Sequence, residues 1–296
     1  MDEYYTVIQS LPEPLQTALA GLGTARASAV QEIRLRTEQP VQFTIAGRLV
    51  PAYALLPGAA CLRRVGQEVL QQCFLSLCGH SAYAYEKELS QGYFTADNGS
   101  RVGVAGLCSG QGFAVIRALN LRIARWITCP LPSRVQQSLR QWNGGILVAG
   151  VPGSGKTTFL RSMIGYMAAQ DRIFCVVDER GELVPQAALA GGSAPHLNCD
   201  VYTRVDRAKG IAMALRCMNP QAIVCDELGT EEDAAALETG LASGVVFLAS
   251  VHCDTPEHLY RKPQLLRLLK TGAFSMAVFL SGQDKPGQVT RMVNLP

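Results

Sequence analysis

The chain has 296 residues, 48% of them hydrophobic and 17% charged, with a formal net charge of +3. That balance excludes a disordered chain, and the length is enough for two domains of ordinary size, each with its own core. Residues 1–130 carry 11 basic and 9 acidic side chains, and residues 131–296 carry 16 and 15; neither half has the concentrated positive charge of an electrostatic nucleic-acid binder.

No apolar run approaches the ~18 residues needed to cross a bilayer; the longest, LASGVVFLASV (241–251), is broken by Gly and Ser. The opening MDEYYTVIQSLPEP is acidic and lacks a basic leader segment, so a cytosolic chain with no integral membrane segment is expected. The ten cysteines sit mostly in apolar runs, such as Cys175 in IFCVVD, Cys217 in ALRCMN and Cys225 in AIVCDE. They read as reduced core thiols. Cys73 and Cys78 lack a second pair, or a His, at zinc-finger spacing, and no structural metal is expected.

In chain order, QEIRLR (31–36) alternates as a strand, EQP (38–40) reads as a turn, and VQFTIAG (41–47) as the second strand of a hairpin. Residues 62–78 place apolar side chains at 62, 65, 69, 70, 73, 74 and 77, which predicts a helix. GYFTADNGSRVGVAG (92–106) predicts a second hairpin turning at DNGS, and GFAVIRALNLRIA (112–124) a further strand. WITCPLPS (126–133) is a linker, with Ser133 as the expected cap of a helix over SRVQQSLRQW (133–142). Beyond residue 143 the pattern changes to buried strands alternating with helices. GGILVAG leads to a helix from about 156; RIFCVVD to a loop and a helix around 206–217; AIVCDE to a helix around 231–241; VVFLASVH follows. Apolar strands separated by helices mean a parallel sheet with crossovers. The expected fold class is α/β: a parallel sheet flanked by helices at 133–296, preceded by a smaller α+β domain at 1–128.

Gly150-x-x-x-x-Gly155-Lys156-Thr157 is a complete phosphate loop, the Walker A pattern, with a strand before it and a helix after it. Its glycines let successive N–H groups curl around an anion, and the helix adds its positive end. Gly150, Val151, Pro152, Gly153, Ser154, Gly155, Lys156, Thr157 and Thr158 are the candidate nucleotide-binding residues. Lys156, one of only six lysines, is placed to reach the β- and γ-phosphates, and the Thr157 hydroxyl to reach Mg²⁺. Three later strands also end in chemistry-bearing residues. IFCVVDERGELV (173–184) ends in Asp178, Glu179 and Glu182 with Arg180 among them; AIVCDELG (222–229) ends in Asp226 and Glu227; VVFLASVHCDTPEH (245–258) ends in Ser250 and His252. Acids at the carboxyl ends of parallel strands face a nucleotide crevice. Asp226 is the candidate Mg²⁺ ligand beside Thr157, Glu227 or Glu179 the residue that orients the attacking water, and His252 a phosphate sensor.

These four strand ends, in this order, resemble the secretion ATPases of pilus, type II and type IV systems. Walker A would be GVPGSGKT (150–157), the acidic box VVDERGEL (176–183), Walker B AIVCDELG (222–229) and the histidine box SGVVFLASVH (243–252). EIRLRTEQPV (32–41), SRVGVAG (100–106) and GFAVIRALNLRIA (112–124) are similar to strands of that superfamily's N-terminal domain. Together with AYEKELSQGYFTADNGSRVGVAG and NLRIAR they are similar, over almost the whole chain, to the sporulation ATPases of endospore-forming bacteria. The resemblance implies a RecA-like P-loop NTPase core at 133–296, a Mg-dependent ATPase, a homo-oligomeric (hexameric) ring, and a peripheral position on the mother-cell side of a membrane. There it would energise channel proteins between mother cell and forespore. It also implies that an arginine of the N-terminal domain completes a neighbour's site, with Arg101, Arg117 and Arg122 as candidates and Arg117 preferred. The acidic box departs from the usual Glu-Asp-Pro-x-Glu, reading Asp178-Glu179-Arg180-Gly181-Glu182, and Walker B carries Asp226 where pilus motors often have Gly. The segment after the fourth strand is short and lacks a zinc-ligand cluster, unlike pilus extension motors. The competing readings are a DNA-processing RecA-like ATPase, disfavoured by the even charge, and a scaffold that binds nucleotide without turnover.

Overall fold

The computed structural model describes residues 2–109, 112–142, 144–184, 197–261 and 263–296. The chain forms two compact units, one running through Arg125 and the other beginning at Trp126.

The first unit opens with three short helices, α1 (Glu3–Gln9), α2 (Leu15–Ala20) and α3 (Thr24–Ala27). A six-stranded sheet follows, built from β1 (Val30–Arg36), β2 (Gln42–Ile45), β3 (Arg48–Pro51), β4 (Tyr93–Thr95), β5 (Arg101–Ser109) and β6 (Gly112–Arg122). Its order is β3-β2-β1-β6-β5-β4, with every neighbouring pair antiparallel. In β1 the buried Ile33 and Leu35 alternate with Glu32, Arg34 and Arg36, as period-two patterning requires of a sheet with one buried face. Both hairpins expected from the sequence are present.

The helix expected at 62–78 is shorter and interrupted. A 3₁₀ turn covers Ala60–Arg63, and the α-helix runs only over Gln67–Leu77, after the short α4 (Ala52–Leu55). The reason is non-local: Val65 accepts from Glu38 N and donates to Gln39 O, so residues 64–66 are drawn out as an extended bridge that helical periodicity does not register. We number the longer helix α5, and α6 (Glu86–Leu89) precedes β4.

In the β5–β6 hairpin Ala105 pairs with Ala118 but Gly106 pairs with Ile116, which leaves Arg117 as the extra residue of a bulge. Gly106 is required there, because a Cβ at that position would lie 1.9 Å from the Val115 carbonyl oxygen.

The second unit is a seven-stranded sheet between helices. Its elements are α7 (Ser133–Gln141), β7 (Gly145–Gly150), α8 (Lys156–Ala168), β8 (Phe174–Asp178), β9 (Asp200–Thr203), α9 (Arg207–Cys217), β10 (Ala222–Cys225), α10 (Glu231–Ala242), β11 (Val246–His252), α11 (Pro256–Arg261), α12 (Pro263–Lys270), β12 (Phe274–Leu280) and β13 (Val289–Asn294). Ser133 is the first residue of α7 and not its cap; Pro132 takes the cap position. The order β13-β12-β7-β11-β10-β8-β9 is parallel throughout except for β12–β13. β9, β12 and β13 extend the sheet beyond the four strands expected from the sequence.

β7, β8 and β10 are buried along their whole lengths, the signature of parallel strands covered on both faces. The ten cysteines are free thiols. Cys175 and Cys225 are core residues, whereas Cys217, at the end of α9, is exposed because the apolar run that contains it is one face of a surface helix.

Helix α9 lies close to β8. A Cβ on Gly210 would meet Val177 Cγ1 at 2.6 Å and Val205 Cγ1 at 3.0 Å. Overpacking of this kind costs about 1–3 kcal/mol, so Gly210→Ala should lower the unfolding free energy by that amount, read as a lower denaturant midpoint at an unchanged m-value.

Candidate nucleotide site

The parallel registers decide what meets at the sheet's carboxyl edge. Gly150, the last residue of β7, pairs with His252, the last of β11, and Cys225 of β10 pairs with both Ala249 of β11 and Val177 of β8. Asp226 and Asp178 follow Cys225 and Val177 directly. The four strands singled out in the sequence therefore end side by side at one edge, with Asp178 and Asp226 beside Ser250, and β7 and β11 running two residues further to Gly150 and His252.

The loop from Gly150 to Lys156 turns on Gly153 (φ +77°) and Gly155 (φ +88°), where a Cβ carries a steric penalty. Gly155 is also fixed by proximity: its Cβ would meet Gly287 N at 2.4 Å. The β12–β13 turn braces the loop from outside, with Gly287 N donating to Ser154 O (2.8 Å) and Gln283 Nε2 to Pro152 O (3.1 Å). Neither contact is legible in the motif. Ser154 is fully buried and its hydroxyl has no hydrogen-bond partner.

Lys156 Nζ donates to Gly150 O and Val151 O, both at 3.1 Å, and lies 3.1 Å from His252 Nδ1. Burial holds its ammonium below the ordinary lysine range, opposed by the charges of Asp226 and Glu227. The Thr157 hydroxyl donates to Asp226 Oδ2 at 3.0 Å. Asp226 Oδ1 accepts from the Ser250 hydroxyl and from Glu227 N, so Ser250 orients this carboxylate from the neighbouring strand.

Glu227 adopts a left-handed backbone (φ +54°), uncommon for a residue with a Cβ. Its N–H donates to Ser250 Oγ and Leu228 N to Ser250 O. This twist turns its carboxylate toward His252 Nε2 (3.0 Å) and Arg180 Nη2 (2.7 Å).

Asp178 is 3% exposed and accepts backbone N–H bonds from Glu182, Leu183 and Val184 at 2.8–3.0 Å. It clamps the base of its own loop. Burial pushes its carboxyl up to about 6, with the three N–H donors working against the rise and Asp226 adding to it. Glu179 instead pairs with Arg207 (2.8 Å), a buried guanidinium that also holds Asp233 (2.9 Å). Arg207 was not among the expected residues. It lies 28 residues beyond Glu179 in sequence, on α9, and no local pattern announces it.

Thr157, Glu179, Arg180, Asp226 and Glu227 face one crevice, continuous with a cavity of about 420 Å³ over the loop glycines, His252 and Pro286. A cradle of left-handed glycines, a lysine and a hydroxyl–carboxylate pair fit a nucleotide carrying Mg²⁺. Among the described residues no three acidic, His or Cys side chains are grouped to hold a metal alone, and Mg²⁺ held by one or two protein oxygens takes its other ligands from phosphate and water. Thr157 and Asp226 are the residues that would hold it.

The candidate arginines lie elsewhere, in the first unit. Arg101 stacks on the Tyr93 ring at 3.8 Å, Arg122 stands 3.9 Å from Glu32, and Arg117 is exposed at the β6 bulge. Among the described residues no helix is long and apolar enough to cross a membrane.

The family described as "Sporulation stage III, protein AA" matches residues 12–295. Stage III sporulation protein AA of Bacillus subtilis is 30% identical over 302 aligned residues, 97% of this chain and 94% of that protein. Among solved structures, the Legionella pneumophila ATPase DotB superposes with a TM-score of 0.62 at 18% identity, covering 91% of this chain and 78% of its own. The pilus retraction motor PilT, solved with bound ADP, gives 0.60 at 17% identity, covering 90% and 76%. The fold is that of secretion and pilus ATPases.

The Asp178 geometry carries a pH signature. Its folded value of about 6 lies above the unfolded 3.8, so the native state binds more protons between those values. The stability it contributes is complete below the lower value and is lost as pH rises through the upper one. Thermal melts from pH 4 to 7 (roughly the span between the two carboxyl values) should therefore show a steeper loss for the wild type than for Asp178→Asn. Parallel pH profiles would contradict this.

Proposed function

The chain belongs to the sporulation stage III protein AA family, and from that footing we propose that it is a Mg-dependent ATPase motor of the secretion type. The observation that carries this reading is the Thr157–Asp226 bond at 3.0 Å beside Lys156, since a phosphate-loop hydroxyl joined to a strand-end carboxylate is the arrangement that receives Mg-nucleotide. Lys156 and the N–H groups of residues 153–158 neutralise the β- and γ-phosphates. Thr157 and Asp226 would hold Mg²⁺, which would supply further charge neutralisation. His252, bonded to both Lys156 and Glu227, links the phosphate end of the crevice to the carboxylate that orients water. We assign that task to Glu227 over Glu179, because Arg207 holds Glu179 to Asp233 while Glu227 joins the chain leading to Lys156.

The N-terminal domain (1–128) and the ATPase domain (133–296) are the moving parts of a homo-hexameric ring. The ring acts peripherally on membrane channel proteins, on the mother-cell side. Arg117, exposed at a bulge, is the arginine that reaches a neighbour's nucleotide. What supports this is the family, the fold and the crevice chemistry together. The even charge distribution supports an activity independent of nucleic acid.

Lys156→Ala should abolish turnover and leave circular dichroism unchanged; persistent Mg-ATPase activity in that variant removes the site assigned here. Glu227→Gln should lose at least about 100-fold in kcat, more than Glu179→Gln, and the reverse order would exchange their roles. Removing a transition-state arginine costs about 10³–10⁵ in rate. Arg117→Ala should fall in that range, and full activity in the separate Arg101, Arg117 and Arg122 alanine variants would dismiss a cross-subunit arginine from this domain.

A further inference from the structure

The loop after β8 has a rigid base and a projecting tip. Gly181 N donates to Asp178 O (3.2 Å) to close a tight turn, Gly181 takes a left-handed φ of +66°, and the Asp178 carboxylate fastens the N–H groups of residues 182–184. Arg161 of α8 ties the same segment to the helix that follows the phosphate loop, donating from Nε to Leu183 O at 3.1 Å. Arg180 rides at the tip of this turn. Its side chain is 60% exposed, yet Nη2 ends 2.7 Å from Glu227 Oε2, on the wall it shares with Thr157 and Asp226.

The charges in the crevice are unbalanced. Asp178, Glu179, Glu182, Asp226 and Glu227 stand against Arg180 and Arg207 on one wall, and Lys156 adds a third cation at the loop. Arg207 is committed to Glu179 and Asp233 and is 11% exposed. Lys156 is held by the loop that would wrap the β-phosphate. Arg180 alone of the three combines solvent exposure with a guanidinium that ends in the crevice. Its crevice partner Glu227 is half of a relay: Glu227 Oε2 binds Arg180 while Oε1 binds His252, which in turn touches Lys156. A guanidinium leaves a carboxylate readily for a phosphate oxygen, which offers the same bidentate geometry and more charge.

We infer that Arg180 is a γ-phosphate-recognising residue acting in cis, exchanging Glu227 for the terminal phosphate of a bound nucleoside triphosphate and so releasing Glu227 Oε2 toward the crevice. An exposed ion pair of this kind adds little to folding, so its effect falls on ligand discrimination. Arg180 thereby distinguishes triphosphate from diphosphate within a single chain. The inference rests on reading the crevice as a nucleoside triphosphate site.

The test is calorimetric titration of the full chain with Mg²⁺ and either a non-hydrolysable ATP analogue or ADP, so that it does not depend on turnover. Arg180→Ala should weaken the triphosphate analogue by at least about tenfold and leave ADP affinity and the melting temperature at wild-type values. Arg180→Lys should recover part of the loss. Lys156→Ala should weaken both ligands. A wild-type ratio of analogue to ADP affinity in Arg180→Ala overturns the role of Arg180 while leaving the nucleotide site standing. Equal loss of both ligands in Arg180→Ala also overturns it. Failure of the wild-type protein to bind either nucleotide overturns the site and this inference together.

Discussion

Four neighbouring parallel strands in fixed register, ending at one edge, are the constraint on which the rest of the site depends. In a parallel ladder, register fixes where each strand stops relative to its neighbours. Here the pairing of Gly150 with His252, and of Cys225 with Ala249 and Val177, brings a phosphate loop, a histidine and two acid-bearing turns to one edge. Side chains more than 60 residues apart in sequence become hydrogen-bond partners, as with Thr157 and Asp226. A shift of one residue in β10 would move Asp226 away from Thr157 by a strand step of about 3.3 Å and reverse its facing.

Around that edge the protein trades favourable local geometry for placement. Glu227 sits in a left-handed conformation, held by its N–H bond to Ser250 Oγ and by the bond from the next residue, Leu228 N, to Ser250 O. Burial opposes the charged forms of both Lys156 and Asp178. Each is answered by local hydrogen bonds: two carbonyls for the lysine, three amides for the aspartate. Such strained or desolvated groups gather at functional sites because the surrounding structure holds them there.

Two positioning features stand behind the crevice. Arg207 fastens Glu179 to Asp233, and Asp233 also belongs to the capping box that starts α10, with Thr230 as its cap. The acidic loop and the helix after Walker B are thereby joined through one buried guanidinium. On the other side the β12–β13 turn braces the phosphate loop through Gly287 and Gln283. A shift of α9 or of this turn therefore reaches the residues of the crevice and the phosphate loop through a few specific bonds.

By itself the sequence determined the local pieces. The apolar runs became β7, β8, β10 and β11, and the glycine spacing at 150–155 became a loop because left-handed turns demand residues without a Cβ. Alternation in 31–36 and 41–47 became a hairpin with one buried face. Those signals are short-range and survive in a single chain read residue by residue. The tertiary structure alone decided what depends on contacts between distant segments. Val65 was pulled into an extended bridge by Glu38 and Gln39, and β9, β12 and β13 were recruited to the edges of a sheet already formed. Arg207 and Gly287 became parts of the site because folding brought them there, and the partners of Glu179 and Glu227 were divided between Arg207 and Arg180. No periodicity encodes which of two acids an arginine meets; that follows from the order and register in which the strands are stacked.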